Sequence, residues 1–232
     1  MDFSETVNCL KQTLNIKKEI IGLRQLNEEP THIEVYQDKN HICYMMGEVL
    51  EEGKTFYTIL ENHVCLLGCA ATGLDPGLST LDSEERTESD QFHVSGINIF
   101  PDEAIQRTSE MEAARLFPQF KEVCKAILIG PLLDVPDPEV AVIFANPEQV
   151  HMLTRAYCYA TGHFIKGYAG MGACRMLFPN AFLNKEPAFT VSDRSWRKAL
   201  NLSPEELTLT VPVETLQIMS KNLEESNREW SS

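Results

Sequence analysis

Apolar residues recur at helical spacing in Ser4–Leu14, where Val7, Leu10 and Leu14 share a face and Ser4 stands where a cap is needed. Residues 20–26 (IIGLRQL) read as a strand that Gly22 interrupts. A helix is predicted over 41–51, with Gly53 as its stop, and a short β run over 55–60. Another helix is expected over 100–116, with Pro101, Asp102 and Glu103 suited to its first turn. AILIG at 126–130 and VAVIFA at Val140–Ala145 are continuous apolar runs, the pattern of strands covered on both faces. Asn146 then caps a helix from Pro147 to about residue 160. Strands at 189–191 and 207–211 alternate with helices at 193–200 and 212–225.

The alternation is irregular and no linker breaks it. The expectation is one compact α+β domain over 1–232, with mixed, mostly short strands and interspersed helices, rather than a regular doubly wound fold. DSEERTESD at 82–90 reads as a solvated acidic loop, and 226–232 as a flexible tail. A faint internal echo pairs a Cys43 helix followed by GCAATGL with a Cys158 helix followed by GACRMLF.

Charge narrows the function classes. Twenty basic against 34 acidic residues leave a net charge of −14 in 232 residues, which argues against nucleic acid and anionic membranes as partners. The longest uncharged apolar stretch, VCLLGCAATGL at 64–74, is too short to span a bilayer, and the first residues do not read as a signal peptide. Seven widely spaced cysteines do not form a secreted disulfide framework, so a cytoplasmic, reducing location is expected.

The acidity is uneven. Residues 163–198 hold six basic side chains (Lys166, Arg175, Lys185, Arg194, Arg197 and Lys198) against Glu186 and Asp193. That segment is +4, leaving −18 for the rest of the chain. It also carries Gly167, Gly170 and Gly172, and glycines let backbone amides approach an anion closely. Arginine forks grip carboxylate or phosphate, which makes Arg175 and Arg194 the candidate anchors of a small anionic ligand, with Gly170 and Gly172 beside them. GYAGMG is neither a phosphate loop nor a dinucleotide fingerprint, and the alternative is a tight connection whose basic groups pair with the acidic remainder. Gln149, in the first turn after a buried strand, is a candidate to face a crevice or else to cap its own helix.

CLLGC places Cys65 and Cys69 four residues apart, with His63 just before. Thiolates bind soft metals and iron–sulfur clusters, and close pairs cycle through disulfides. The distant partners for such a site are Cys43, Cys158 and Cys174; the alternative is a set of small buried apolar side chains. The candidate metal set is Cys43, Cys65, Cys69 and Cys174, and the candidate cofactor an iron–sulfur cluster or another metal. Of the six histidines, His32, His41, His63, His93, His151 and His163, none forms an HExxH or His-x-His pair, so a zinc hydrolase is not expected. GxSxG and kinase motifs are absent from the sequence. Three readings remain: a binder of a small anion or cofactor, a thiol- or iron–sulfur-dependent redox enzyme, and an interaction protein using residues 163–198.

The order of motifs adds a resemblance. CLLGCAATGL, FPDEAIQRTSEMEAAR, GPLLD, PDPEVAVIFANPEQ, GACRMLFP and SDRSWRKALNLSPEELTLTVPVETL follow one another from about Ser4 to Glu225. Together they resemble the bacterial and archaeal domain-of-unknown-function family 169, whose membership implies no activity. The resemblance implies cysteines at positions such as Cys43, Cys65 and Cys174, and in many members a further cysteine shortly before a glycine-aspartate-arginine triplet. Here that stretch is FTVSDR: Ser192 replaces the glycine and no cysteine precedes it, which counts against a carried-over four-cysteine cluster.

Overall fold

A computed structural model describes residues 3–75 and 101–228. The acidic stretch at 82–90 and His93 lie outside the described residues. In chain order the elements are α1 (Ser4–Leu14), β1 (Ile21–Leu26), α2 (Ile42–Glu52), β2 (Phe56–Thr58), α3 (Leu66–Thr72) and α4 (Glu103–Leu116). There follow β3 (Ala126–Pro131), β4 (Val140–Ala145), α5 (Pro147–Thr161), β5 (Lys166–Tyr168), α6 (Ala173–Pro179) and β6 (Ala188–Thr190). The last are α7 (Arg194–Ala199), β7 (Leu207–Pro212) and α8 (Val213–Arg228).

The fold is α+β. One seven-stranded sheet runs in the order β2-β3-β1-β4-β7-β6-β5. Every pairing is antiparallel except the parallel edge pair β5–β6. The apolar runs explain its centre: every residue of β3 and β4 is buried. Their side chains alternate between the faces, as the two-residue period of a strand requires. In β4, Val140, Val142 and Phe144 join one core, and Ala141, Ile143 and Ala145 the other.

The first face packs against α2, α3, α6 and α7 through Met45, Met46, Cys69, Phe178 and Trp196. The second packs against α1, α5 and α8 through Leu10, Leu153, Leu216 and Leu223. Burying each large aliphatic side chain in this way contributes about 1.5–3 kcal/mol. The echo between the Cys43 and Cys158 helices does not extend to packing, because α2 and α5 lie on opposite faces.

Three local expectations change. Gly22 does not interrupt β1; it pairs with Gly130 on one side and Ala141 on the other. Ser4 is the first helical residue of α1, and Phe3 takes the cap position. Ser226, Asn227 and Arg228, expected in a flexible tail, form the last turn of α8. Arg155 of α5 holds that turn, donating to the Asn227 side chain at 3.2 Å and to the Ser226 carbonyl.

Candidate functional site

Four chemical groups stand at the first turns of four helices on one face of the sheet. Cys43 is the second residue of α2, Cys65 the cap of α3, Cys174 the second residue of α6, and Asp193 the cap of α7. Close backbone contacts bring them together. Residues 40 and 62–64 run side by side: Asn40 N–H donates to the Asn62 carbonyl at 2.8 Å, and Val64 N–H to the Asn40 carbonyl at 3.1 Å. Gly68 brings α3 onto the start of α2, since a Cβ there would lie 3.0 Å from Ile42 Cγ2. Gly172 joins α6 to α3: its φ of 78° favours glycine, and a Cβ would stand 2.6 Å from Leu67 Cδ2. Asp193 closes the group, accepting from Ala173 N–H at 2.8 Å and from Trp196 N–H at 3.0 Å.

The thiols feel one another. Burial pushes Cys43 up to about 12, and the charges of Cys65 and Asp193 add to the rise. Burial also holds Cys174 well above the usual thiol range, with Cys65, Asp193 and Cys43 adding and Arg175 opposing. Cys65 is half-buried; burial raises it, and the Gly68 and Leu67 amides pull it back. Cys69 is different. It sits one turn deeper in α3 with no exposure, pushed up to about 12 by burial and then by Cys65 and Asp75. Among the described residues, no group of three or more His, Cys, Asp or Glu is arranged to hold a metal ion.

Arg175 is buried to 8% exposure beside Cys174. Its Nε donates to the Met171 carbonyl at 3.0 Å, fixing the glycine loop, and its Nη2 reaches Ser109 Oγ on α4 at 3.5 Å. Phe117 meets Tyr168 edge-on, with ring centroids 5.0 Å apart. Gly170 is exposed in the same loop, and Arg194 is exposed in the first turn of α7.

The structure therefore gathers Cys43, Cys65, Cys174, Arg175 and Gly172. It does not bring Gln149 to them. That side chain completes a reciprocal cap with Asn146 and donates to the Leu14 carbonyl at 2.6 Å, tying α5 to α1 on the other face. Cys158, on α5, is likewise remote from the group. Part of the basic segment is engaged within the fold: Lys166 pairs with Glu186 at 2.6 Å, and Arg197 donates to the carbonyls of Val191, Ser203 and Glu206, while Lys185, Arg194 and Lys198 are exposed.

Asp193 is the residue whose place in the site the sequence reading did not assign; its signal was an aspartate immediately before the helix and three residues before Trp196, the ordinary pattern of a cap. His63 also gains a definite environment. Its Nε2 lies 3.0 Å from Thr58 Oγ1, and its buried Nδ1 has no hydrogen-bond partner among the described residues. Burial, and then His41, pushes it down to about 4.

The fold and site define an α+β protein with a thiol-lined junction of helix starts and a buried arginine beside it. No described helix is long and apolar enough to cross a membrane. The chain belongs to the DUF169 family, described as an uncharacterised ArCR, whose model matches residues 9–222. No curated protein and no solved structure matches it.

Proposed function

We propose that this protein binds a small anionic ligand or cofactor where the 169–172 loop meets the starts of α3, α6 and α7. The observation that carries this reading is the burial of the Arg175 guanidinium beside three neighbouring thiols. Its Nε bond to Met171 presets the fork, and a preset guanidinium loses little entropy on gripping carboxylate or phosphate. Gly170, exposed in the loop, leaves its backbone open to close approach, Gly172 packs the loop against Leu67, and Arg194 is the second anchor. Gln149 is assigned to helix capping rather than to the ligand. All seven cysteines are free, which supports a reducing, cytoplasmic setting.

The test is a thermal-shift screen of the full chain against phosphate, sulfate, small carboxylates and nucleotides. A ligand at one hundred times its Kd stabilises the native state by about 2.7 kcal/mol, a readily measured rise in Tm. The rise should shrink in Arg194→Ala, whose exposed side chain is dispensable for folding. An unmoved Tm across the whole panel overturns the reading.

A second reading, redox chemistry, is favoured by the grouping of Cys43, Cys65 and Cys174. Its simple nucleophilic-thiol form is disfavoured, because burial raises all three thiols and a reactive cysteine needs a lowered pKa.

A further inference from the structure

We infer that the outward face of α4 docks on the same face of a second copy of this chain, the two helices antiparallel across a two-fold axis. The face is separate from the thiol-lined junction, so the inference stands apart from the anion reading.

The helical period sorts the described residues of α4 into two sides. Ser109, Ala113 and Ala114, with Phe117 just past the last turn, share the inner side and are half-buried. Phe117 packs against the first core, and Ser109 Oγ accepts from Arg175. Ile105, Thr108, Met111, Glu112, Arg115 and Leu116 share the outer side, and all six are exposed. Its apolar members stand well into solvent: Ile105 is 48% exposed, Met111 59% and Leu116 54%. Single exposed apolar side chains are ordinary, but three aligned on one helix face mark an interaction surface. The helix also lacks support. None of its described side chains is buried, although it runs for 14 residues. A helix of that length is marginal alone in water and takes its stability from packing an apolar face.

Charge identifies the occupant. The chain carries −14, so two copies repel over most of their surface. Among the described side chains of the outer face, the charged ones are Glu112 and Arg115, which cancel. They stand one turn apart. An antiparallel two-fold exchanges them, bringing each glutamate within reach of the other copy's arginine, so one interface closes two ion pairs. A patch that is its own complement fits a second copy, with Ile105, Met111 and Leu116 supplying the apolar contact around the pairs. One helix face is smaller than the roughly 800 Å² per partner of a standard interface, so the dimer should be reversible and concentration-dependent.

The test is analytical ultracentrifugation of the full chain from micromolar to near-millimolar concentration, with thermal melts of every variant. Wild type should pass reversibly from monomer to dimer. Met111→Glu should stay monomeric with the melt of the wild-type monomer, since its side chain is exposed. Glu112→Arg and Arg115→Glu each set like charges against one another and should weaken the dimer at least about tenfold. The double variant Glu112→Arg with Arg115→Glu restores opposite charges across the axis and should recover the wild-type association. A monomer at every concentration overturns the inference and leaves the face to an unrelated partner or to another part of the chain. A dimer that survives Met111→Glu, or an assembly that grows past two copies, overturns it as well. A double variant as weak as its two parents overturns the antiparallel pairing.

Discussion

The carboxylate of Asp193 spans two helices: its Oδ2 accepts from Ala173 N–H of α6 at 2.8 Å and its Oδ1 from Trp196 N–H of α7 at 3.0 Å. One side chain therefore satisfies donors that two helix starts leave unpaired. Asp193→Ala should cost about 2 kcal/mol, the sum of two modest caps. Asp193→Asn keeps one acceptor and turns an amide donor toward the other N–H, so it should recover about half. Urea midpoints at constant m-value check this. Equal loss in both variants would mean that the two bonds do not act separately.

Ser192, the preceding residue, has φ 66°, in the left-handed region. Its Oγ lies 3.0 Å from Thr208 Oγ1, which also accepts from Trp196 Nε1 at 3.0 Å. Glycine adopts that backbone conformation without strain. Ser192→Ala loses the hydroxyl and keeps the strain, whereas Ser192→Gly loses both. Ser192→Gly should thus be the more stable of the two by about 1 kcal/mol, the reverse of their order in ordinary backbone. Thermal melts of the two variants decide it, and a more stable alanine variant would remove the strain argument.

Much of this was legible in the chain, and the boundary has a physical cause. Strands β3 and β4 could be read because both faces are buried and their apolar runs are unbroken. The cap at Asn146 could be read because it depends on residues three apart. Gln149 was half legible: its place in the first turn was clear, but the Leu14 carbonyl that absorbs its amide is 135 residues away. The grouping of Cys43, Cys65 and Cys174 depends on which helices share a sheet face, and strand order sets that rather than spacing. The same ignorance of faces left Cys158 among the candidate partners.

Thiol reactivity follows from burial. Cys9 and Cys158 are partly exposed and should react first with iodoacetamide at pH 8. Cys43, Cys69, Cys124 and Cys174 are buried, and burial raises each thiol, so they should label only after global or local opening. Cys65 should fall between. Mass spectrometry of partially labelled native protein gives the order, and urea should release all seven sites at one rate. Rapid native labelling of Cys174 would contradict its burial.

Alkaline stability turns on Tyr36. Its hydroxyl donates to Glu48 Oε1 at 2.5 Å and accepts from Asn40 Nδ2 at 3.1 Å. Burial, and then the bond to Glu48, pushes its pKa up from 10.0 to about 12. The folded state therefore keeps its proton where the unfolded chain has lost it. The contribution is fully present below pH 10 and disappears as pH rises through 12. The loss should be on the order of 1 kcal/mol. Tyr36→Phe removes the titrating group, so its stability should be lower at pH 8 by about 1 kcal/mol and flatter between pH 10 and 12. Urea unfolding of both proteins at pH 8, 10 and 11 measures the difference in slope. Parallel pH profiles would show that Tyr36 does not carry the alkaline limb.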